Sequence, residues 1–261
     1  MLTIDLNGKT AIVTGASHGI GYGVALMLAK SGCDIAACGR SAASSADVKD
    51  FIAEIEQTGR KVFYKSVDVK SEDKINQFVN DVIADFGRID ILVSNAGANR
   101  FTSPEQCDSD FWNENANLNL KSHWMISKAC YPELKKNDGS IIIMSSNHAF
   151  STLPNCFPYN VTKAGLVGMV KSLALQWGPE VRVIGLAPGF IETQGGEKWF
   201  ESFPNPQAKR KEILDIHPMR KFGTVNDIGA FCAFLSSDYA GFITGTTYLI
   251  DGGRSAVMQD K

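Results

Sequence analysis

Tyr159 and Lys163, in the stretch YNVTK, stand four positions apart at the head of an apolar run with helical spacing, AGLVGMVKSLALQWG. On a helix, residues i and i+4 share one face a turn apart, so phenol and ammonium lie side by side. A free tyrosine titrates near ~10, too high for easy proton transfer at neutral pH, and an adjacent cation favours the phenolate. The pair therefore has the composition of an acid/base and its tuner. Taken alone, the commoner reading is an ordinary helix carrying an aromatic and a surface cation, because four-residue patterns recur by chance. The rest of the chain decides.

Positioning such a pair takes a scaffold, and the pattern of apolar runs describes one. TAIVTG, CDIAACG, KVFYKSVDV, IDILVSNAG, GSIIIMSS, VRVIGLAPG and TTYLIDGG are short apolar runs closed by Gly, Asn, Asp or Ser, the signature of buried strands. Between them, YGVALMLAKSG, DKINQFVNDVIADFG and AGLVGMVKSLALQWG carry apolar residues at three- and four-residue intervals and end in glycine, as helices do. This alternation predicts an α/β fold: one Rossmann-type, doubly wound parallel sheet of about seven strands with helices on both faces. No repeat or Pro/Gly/Ser-rich linker divides the 261 residues, so a single domain is expected over 1–261.

Composition narrows the function classes. A net charge of −2 without a dense Lys/Arg cluster argues against a nucleic-acid partner. The N-terminal segment has no signal-peptide pattern and no apolar run approaches a membrane span, so a cytoplasmic protein without membrane association is expected. The six cysteines, Cys33, Cys38, Cys107, Cys130, Cys156 and Cys232, are scattered without C-x-x-C or ligand spacing, which predicts reduced thiols and no metal site.

Gly15, Gly19 and Gly21 in TGASHGIGYG fall between a strand and a helix, where backbone must turn tightly and approach a pyrophosphate at a helix N-terminus. Their spacing is G-x-x-x-G-x-G and not G-x-G-x-x-G. Together with SNAG at 94–97, Asn119 in NLNLKS, Ser146 in IIIMSSN, YNVTK, and APGFIET at 187–193, the turn resembles, in order and spacing, the short-chain dehydrogenase/reductase family. The resemblance runs from the first strand to DGG at 251–253. Ser94 is a departure, standing where the family commonly has a second asparagine.

The resemblance implies that Tyr159 is the general acid/base, that Lys163 lowers its pKa and holds the nicotinamide ribose, and that Ser146 holds the substrate oxygen. Ser146 is preferred over Ser145 because it precedes the tyrosine by thirteen positions. Asn119 would interrupt a helix and hold a relay water. By the same resemblance Gly15, Ser17, His18, Gly19, Ile20 and Gly21 face the cofactor phosphates. Asp68 and Val69 close over adenine, Asn95, Ala96 and Gly97 lie along the adenosine ribose, and Pro188, Gly189, Ile191 and Thr193 flank the nicotinamide. For Asp68, capping of the next helix is the alternative. Family members are commonly tetramers, so a homo-oligomer is expected.

Cofactor choice rests on the second strand, which ends AACGRS. Gly39 replaces the acid that would hydrogen-bond a ribose 2′-hydroxyl, and Arg40, followed by Ser41, suits a 2′-phosphate through its forked donors. NADP(H) is therefore expected ahead of NAD(H). After Ser146 come Asn147 and His148, polar groups that favour a hydroxylated substrate if they face the pocket; loop bracing is the other reading of His148. The segment at about 190–217 resembles the family's substrate lid, with Gly195 and Gly196 as hinges and Trp199, Phe200 and Phe203 as apolar cover. The leading expectation is an oxidoreductase of a secondary alcohol/carbonyl pair or sugar hemiacetal, with a small sugar- or polyol-like substrate touching Ser146, His148, Tyr159 and Trp199. A 3-oxoacyl-thioester reductase and a non-catalytic NADP-binding protein are the alternatives.

Overall fold

All seven apolar runs form strands of one sheet. The computed structural model describes residues 3–258. The first half holds β1 (Thr10–Thr14), α1 (Gly19–Lys30), β2 (Asp34–Gly39), α2 (Ala46–Glu56), β3 (Val62–Ser66), α3 (Glu72–Phe86) and β4 (Ile91–Ser94). A short strand β5 (Phe101–Thr102) and helix α4 (Ser109–Ala116) lead through a π-helical turn, Asn117–Lys121, into α5 (Ser122–Lys136). The second half adds β6 (Ser140–Met144), β7 (Phe157–Pro158), α6 (Tyr159–Trp177) and β8 (Arg182–Pro188). The chain closes with α7 (Gln194–Glu201), α8 (Pro206–Asp215), α9 (Val225–Leu235) and β9 (Thr247–Ile250).

Strand order is β3-β2-β1-β4-β6-β8-β9 and every pair is parallel. Because β1 lies between β2 and β4, the chain leaves it in opposite directions on its two sides, and a crevice opens at the carboxyl ends of β1 and β4. Alternation along β1 explains the two-sided core. Ala11 and Val13 pack toward α1, α2 and α9 with Leu28, Phe51 and Ile228, while Ile12 packs the other way with Phe78 of α3, Ile126 of α5 and Leu166 of α6.

Local chemistry sets the helix ends unevenly. Ser71 caps α3 by accepting from Lys74 N, and Gly87 ends it in the left-handed region at φ 76°. α6 ends instead in an extended Gly178, so only one of the three glycine-terminated patterns uses a left-handed cap directly after the helix. Asp90 is buried and joins β4 to β1 by accepting from Thr10 N (2.9 Å), with its charge matched by Arg88. Among the described residues no helix is long and apolar enough to cross a membrane, and no group of three potential metal ligands occurs.

α1 and α9 pack backbone against backbone. A Cβ on Gly23 would lie 2.4 Å from Val225 Cβ, and one on Gly229 would lie 2.9 Å from Gly23 O. Gly23→Leu is therefore expected to lower the unfolding free energy by about 1–3 kcal/mol, the usual cost of overpacking, read as a lower urea midpoint at unchanged slope. An unchanged midpoint would mean that the two helices separate freely.

Candidate active site

Backbone meets backbone in the crevice. Gly15 and Gly19 have φ of 67° and 61°, and a Cβ on Gly21 would lie 2.3 Å from Gly15 O and 2.5 Å from Asn95 Nδ2. Asn95 fastens the turn to β4: its Nδ2 donates to Thr14 O (2.9 Å) and Gly15 O (3.2 Å), while Asn95 N and Ala96 N donate to Thr14 Oγ1. α1 begins at Gly19 with no side-chain cap from His18, so its first N–H groups and positive dipole end are left for an anion. A Cβ at Gly21 would collide with the turn that forms this cradle, whose free N–H groups fit a dinucleotide pyrophosphate. Thr193 approaches it from β8; its Cγ2 lies 3.6 Å from where a Gly19 Cβ would stand.

The four candidate chemical residues converge beside the cradle. Tyr159 opens α6 directly after β7, which pairs with β5, and it is 7 % exposed. Lys163 lies one turn on, fully inside, with Nζ 5.7 Å from the tyrosine ring centroid and donating to Met144 O (2.8 Å). Ser146 leaves β6 as the cap of a short 3₁₀ turn, its Oγ accepting from His148 N (3.2 Å). Ser145 Oγ instead donates to Lys163 O (2.8 Å) and so fastens α6, which separates the roles of the two serines. Asn119 sits in the π turn, as the expected helix interruption requires. Its Oδ1 accepts from Ala98 N (2.9 Å), and its Nδ2 donates to Ala98 O (3.1 Å) and Asn115 Oδ1 (2.8 Å). A Cβ on Gly97 would fall 2.9 Å from Asn119 Oδ1 and 3.6 Å from Lys163 Nζ, so only glycine lets the end of β4 approach both.

Burial, not the neighbouring ammonium, sets the two pKa values. The Tyr159 phenol is pushed up to about 12 by burial, with the Ser146 hydroxyl pulling it down in part. Lys163 is pulled down to about 7 by burial alone. The expectation that Lys163 lowers the tyrosine pKa is thus corrected for the protein by itself: desolvation outweighs the attraction of a cation whose hydrogen bond goes to Met144 O. Behind Lys163, His123 is wholly buried with Nδ1 2.8 Å from Ser94 Oγ, and burial followed by the lysine charge holds it well below the usual histidine range. Ser94, the departure from the family pattern, has this histidine as its partner.

Of the other expected residues, Gly39 ends β2 where a Cβ would lie 3.0 Å from Tyr64 Oη and 3.3 Å from Ser17 Oγ, leaving an acid little room. Arg40 is exposed and has no ion-pair partner among the described residues; the adjacent Ser41 O accepts from Tyr64 Oη (3.1 Å). Ser17 Oγ and His18 Nδ1 are 3.0 Å apart. Asp68 does not cap α3, a place Ser71 takes; it accepts from Lys70 N (3.0 Å), and Val69 beside it is buried. Pro188 ends β8 opposite Ile250, Gly189 abuts Asp251, and Ile191 bridges to Gly223. His148 reaches the site, its ring centroid 5.9 Å from that of Tyr159, and Trp199, still exposed, packs tilted or edge-on against Phe190, Phe200 and Phe203 of its own segment. Within the segment at about 190–217, α7 and α8 form because Thr193 and Asn205 cap them, so Gly195 and Gly196 lie in a first helical turn and not at loop hinges. Phe101, whose ring stands 5.2 Å from Tyr159 edge-to-face, has no sequence signal, since its strand is two residues long.

Comparison with known proteins agrees with this geometry. A family model described as enoyl-(acyl carrier protein) reductase matches residues 15–255. The human dehydrogenase/reductase SDR family member 4 is 35% identical over 253 residues, covering 95% of this chain and 88% of its own. A 3-oxoacyl-(acyl-carrier-protein) reductase FabG of Thermotoga maritima is 33% identical over 250 residues, covering 95% and 98%. Among solved structures, the ligand-free aldohexose dehydrogenase of Thermoplasma acidophilum superposes with a TM-score of 0.89 at 28% identity, covering 100% of this chain and 99% of that one. The chain belongs to the short-chain dehydrogenase/reductase family of NAD(P)-dependent oxidoreductases acting on CH–OH groups.

Buried Lys163 has a pH signature in stability. Between about 7 and its ordinary 10.5 the unfolded chain holds a proton that the folded one does not, so stability rises with pH across that window. Lys163→Met is expected to raise the urea midpoint most at and below pH 7, the gain shrinking toward pH 10. A gain independent of pH would place the ammonium in water.

Proposed function

We propose that the protein is an NADP(H)-preferring oxidoreductase of a secondary alcohol/carbonyl pair or a sugar hemiacetal, with a small sugar- or polyol-like substrate. The observation that carries this reading is the convergence of Ser146, Tyr159, Lys163 and Asn119, with the polar turn Asn147–His148 against the phenol. The nicotinamide, when bound, gives or takes the hydride. Gly15, Ser17, His18, Gly19, Ile20 and Gly21 would hold its phosphates. Asp68 and Val69 would hold adenine, Asn95, Ala96 and Gly97 the adenosine ribose, and Pro188, Gly189, Ile191 and Thr193 the nicotinamide end.

Tyr159, kept as a neutral phenol by burial, is the acid that protonates a carbonyl oxygen held by Ser146; in the reverse direction its proton first passes to the neutral Lys163 amine, and the phenolate so formed takes the alcohol proton. Lys163, poised near 7, replenishes or removes that proton at neutral pH and would hold the nicotinamide ribose. Asn119 positions Gly97 and Ala98 next to the ammonium, and a relay water would use the groups its amide leaves free. Arg40, exposed and without an acidic partner among the described residues, supports the 2′-phosphate preference, as does the crowding at Gly39. α7 and α8 serve as the substrate lid. Six free cysteines fit a cytoplasmic setting, and the exposed Phe242 and Leu175 fit a homo-oligomer, a tetramer by resemblance.

A 3-oxoacyl-thioester reductase is the second reading, favoured by the Thermotoga relative. Turnover of 3-oxoacyl thioesters with none of sugars, polyols or simple secondary alcohols would replace the first reading by the second. On the accepted substrate, Tyr159→Phe is expected to lower kcat by about 10²–10⁴-fold, the span of a lost general acid/base. Arg40→Ser is expected to raise KM for NADP(H) by about 10–100-fold, the cost of charge-assisted hydrogen bonds, with a much smaller change for NAD(H). Equal use of the two cofactors by the unaltered protein would refute the preference.

A further inference from the structure

The turn after β9 lies next to the site and carries a charge that no acid among the described residues answers. Asp251 builds it, accepting from Gly253 N (3.0 Å) and Ser255 N (2.8 Å), so its carboxylate is committed to the backbone. The turn is joined to the loop that follows Ser146, with Ser151 Oγ donating to Ser255 O (3.5 Å). In that loop His148 lies between Tyr159 and the turn: its ring stands edge-on to the phenol, and the Arg254 charge, after burial, is what holds its pKa down. His148 Nδ1 is 3.0 Å from Thr152 Oγ1; with Nδ1 accepting from that hydroxyl, Nε2 carries the proton and is left as a donor.

Arg254 is half-buried and has no acidic partner within ion-pair distance among the described residues. The arginines of the neighbouring lid and of the turn after it are matched: Arg210 by Glu192 and Glu197, Arg220 by Asp215. Two buried polar atoms of the same corner also lack a hydrogen-bond partner, Ser255 Oγ and His217 Nε2. His217 is 3 % exposed, and its Cδ2, bonded to that nitrogen, lies 3.6 Å from where a Gly252 Cβ would stand, so the unpartnered edge faces the turn. Its Nδ1 donates to Ile213 O (2.6 Å), which leaves Nε2 an acceptor in the neutral ring. Both atoms are closed off from solvent behind the turn, so the half-buried guanidinium is the group left for an anionic ligand.

We propose that Arg254, with His148, forms a carboxylate-binding corner beside Tyr159, so that the substrate is a polyhydroxy or oxo acid and not a neutral sugar or polyol. The proposal rests on the polyol-class reading above and deepens it. A guanidinium pairs with a carboxylate through parallel N–H donors.

Two matched pairs test it with NADP⁺: galactonate against galactitol, and galacturonate against galactose. In each pair the acid is expected to have at least about a tenfold higher kcat/KM, expressed in KM, as for a charge-assisted hydrogen bond. Arg254→Gln is expected to erase that ratio and Arg254→Lys to keep part of it. A second readout needs no turnover: calorimetric binding of galactonate to the Tyr159→Phe protein loaded with NADP⁺, weakened at least tenfold by adding Arg254→Gln. Equal or better use of the neutral partners, or a ratio that survives Arg254→Gln, overturns the corner. Turnover of the polyols with no reaction or binding of the acids overturns it while the functional reading stands. Arg254-dependent galactonate binding without turnover of any of the four compounds upholds the corner and overturns that reading of the reaction. Neither binding nor turnover rejects both.

Discussion

The structure is organised around a lysine that has been taken out of water without a counter-charge. Lys163 is 4 % exposed, its one hydrogen bond goes to a main-chain carbonyl, and no carboxylate lies within ion-pair distance among the described residues. Burying an ammonium in this way is unfavourable and is relieved by loss of the proton, which is why its pKa falls to about 7. The same burial keeps Tyr159 protonated. One group then holds a proton firmly at neutral pH while its neighbour exchanges one readily, and this difference follows from depth in the fold rather than from mutual attraction.

That depth needs close backbone approaches on every side. Gly97 admits Asn119 and Lys163 to the end of β4, Gly21 lets α1 start against Gly15, and Ser145 fastens α6 through the lysine's own carbonyl. Asn119, in a π turn, spends its amide on Ala98 and Asn115, so its part is to hold the wall of the site in register. The parallel sheet supplies the rigid frame. Because β1 and β4 are adjacent and their connections diverge, the cradle and the proton-handling pair open into the same crevice.

Much of this was legible in the sequence because it is written in local pattern. Each of the seven strands is a short apolar run with a terminator, and the Tyr-Lys spacing placed both side chains on one face of α6 before any coordinates. What escaped depends on three-dimensional environment. The direction of the tyrosine's pKa turns on burial, which a four-residue motif does not encode. The packing of Trp199 against Phe190, Phe200 and Phe203, with 40 % of its surface left exposed, is likewise not written in any local pattern. Gly195 and Gly196 suggested hinges, but a threonine cap two residues upstream outweighs glycine's weak helix propensity. Phe101 and Arg254 come from a two-residue strand and a terminal turn, elements too short to leave any periodicity.

Lys163 exchanges its proton near neutrality because it is buried. The most direct measurement is an NMR titration of lysine Cε–Nζ resonances in the protein alone from pH 5 to 11, with Lys163 assigned by its absence in Lys163→Met. One lysine titrating near 7, with the others staying near their ordinary ~10.4, is the result this account predicts. Titration of Lys163 together with the surface lysines would contradict it, and would return the tuning of Tyr159 to simple charge attraction.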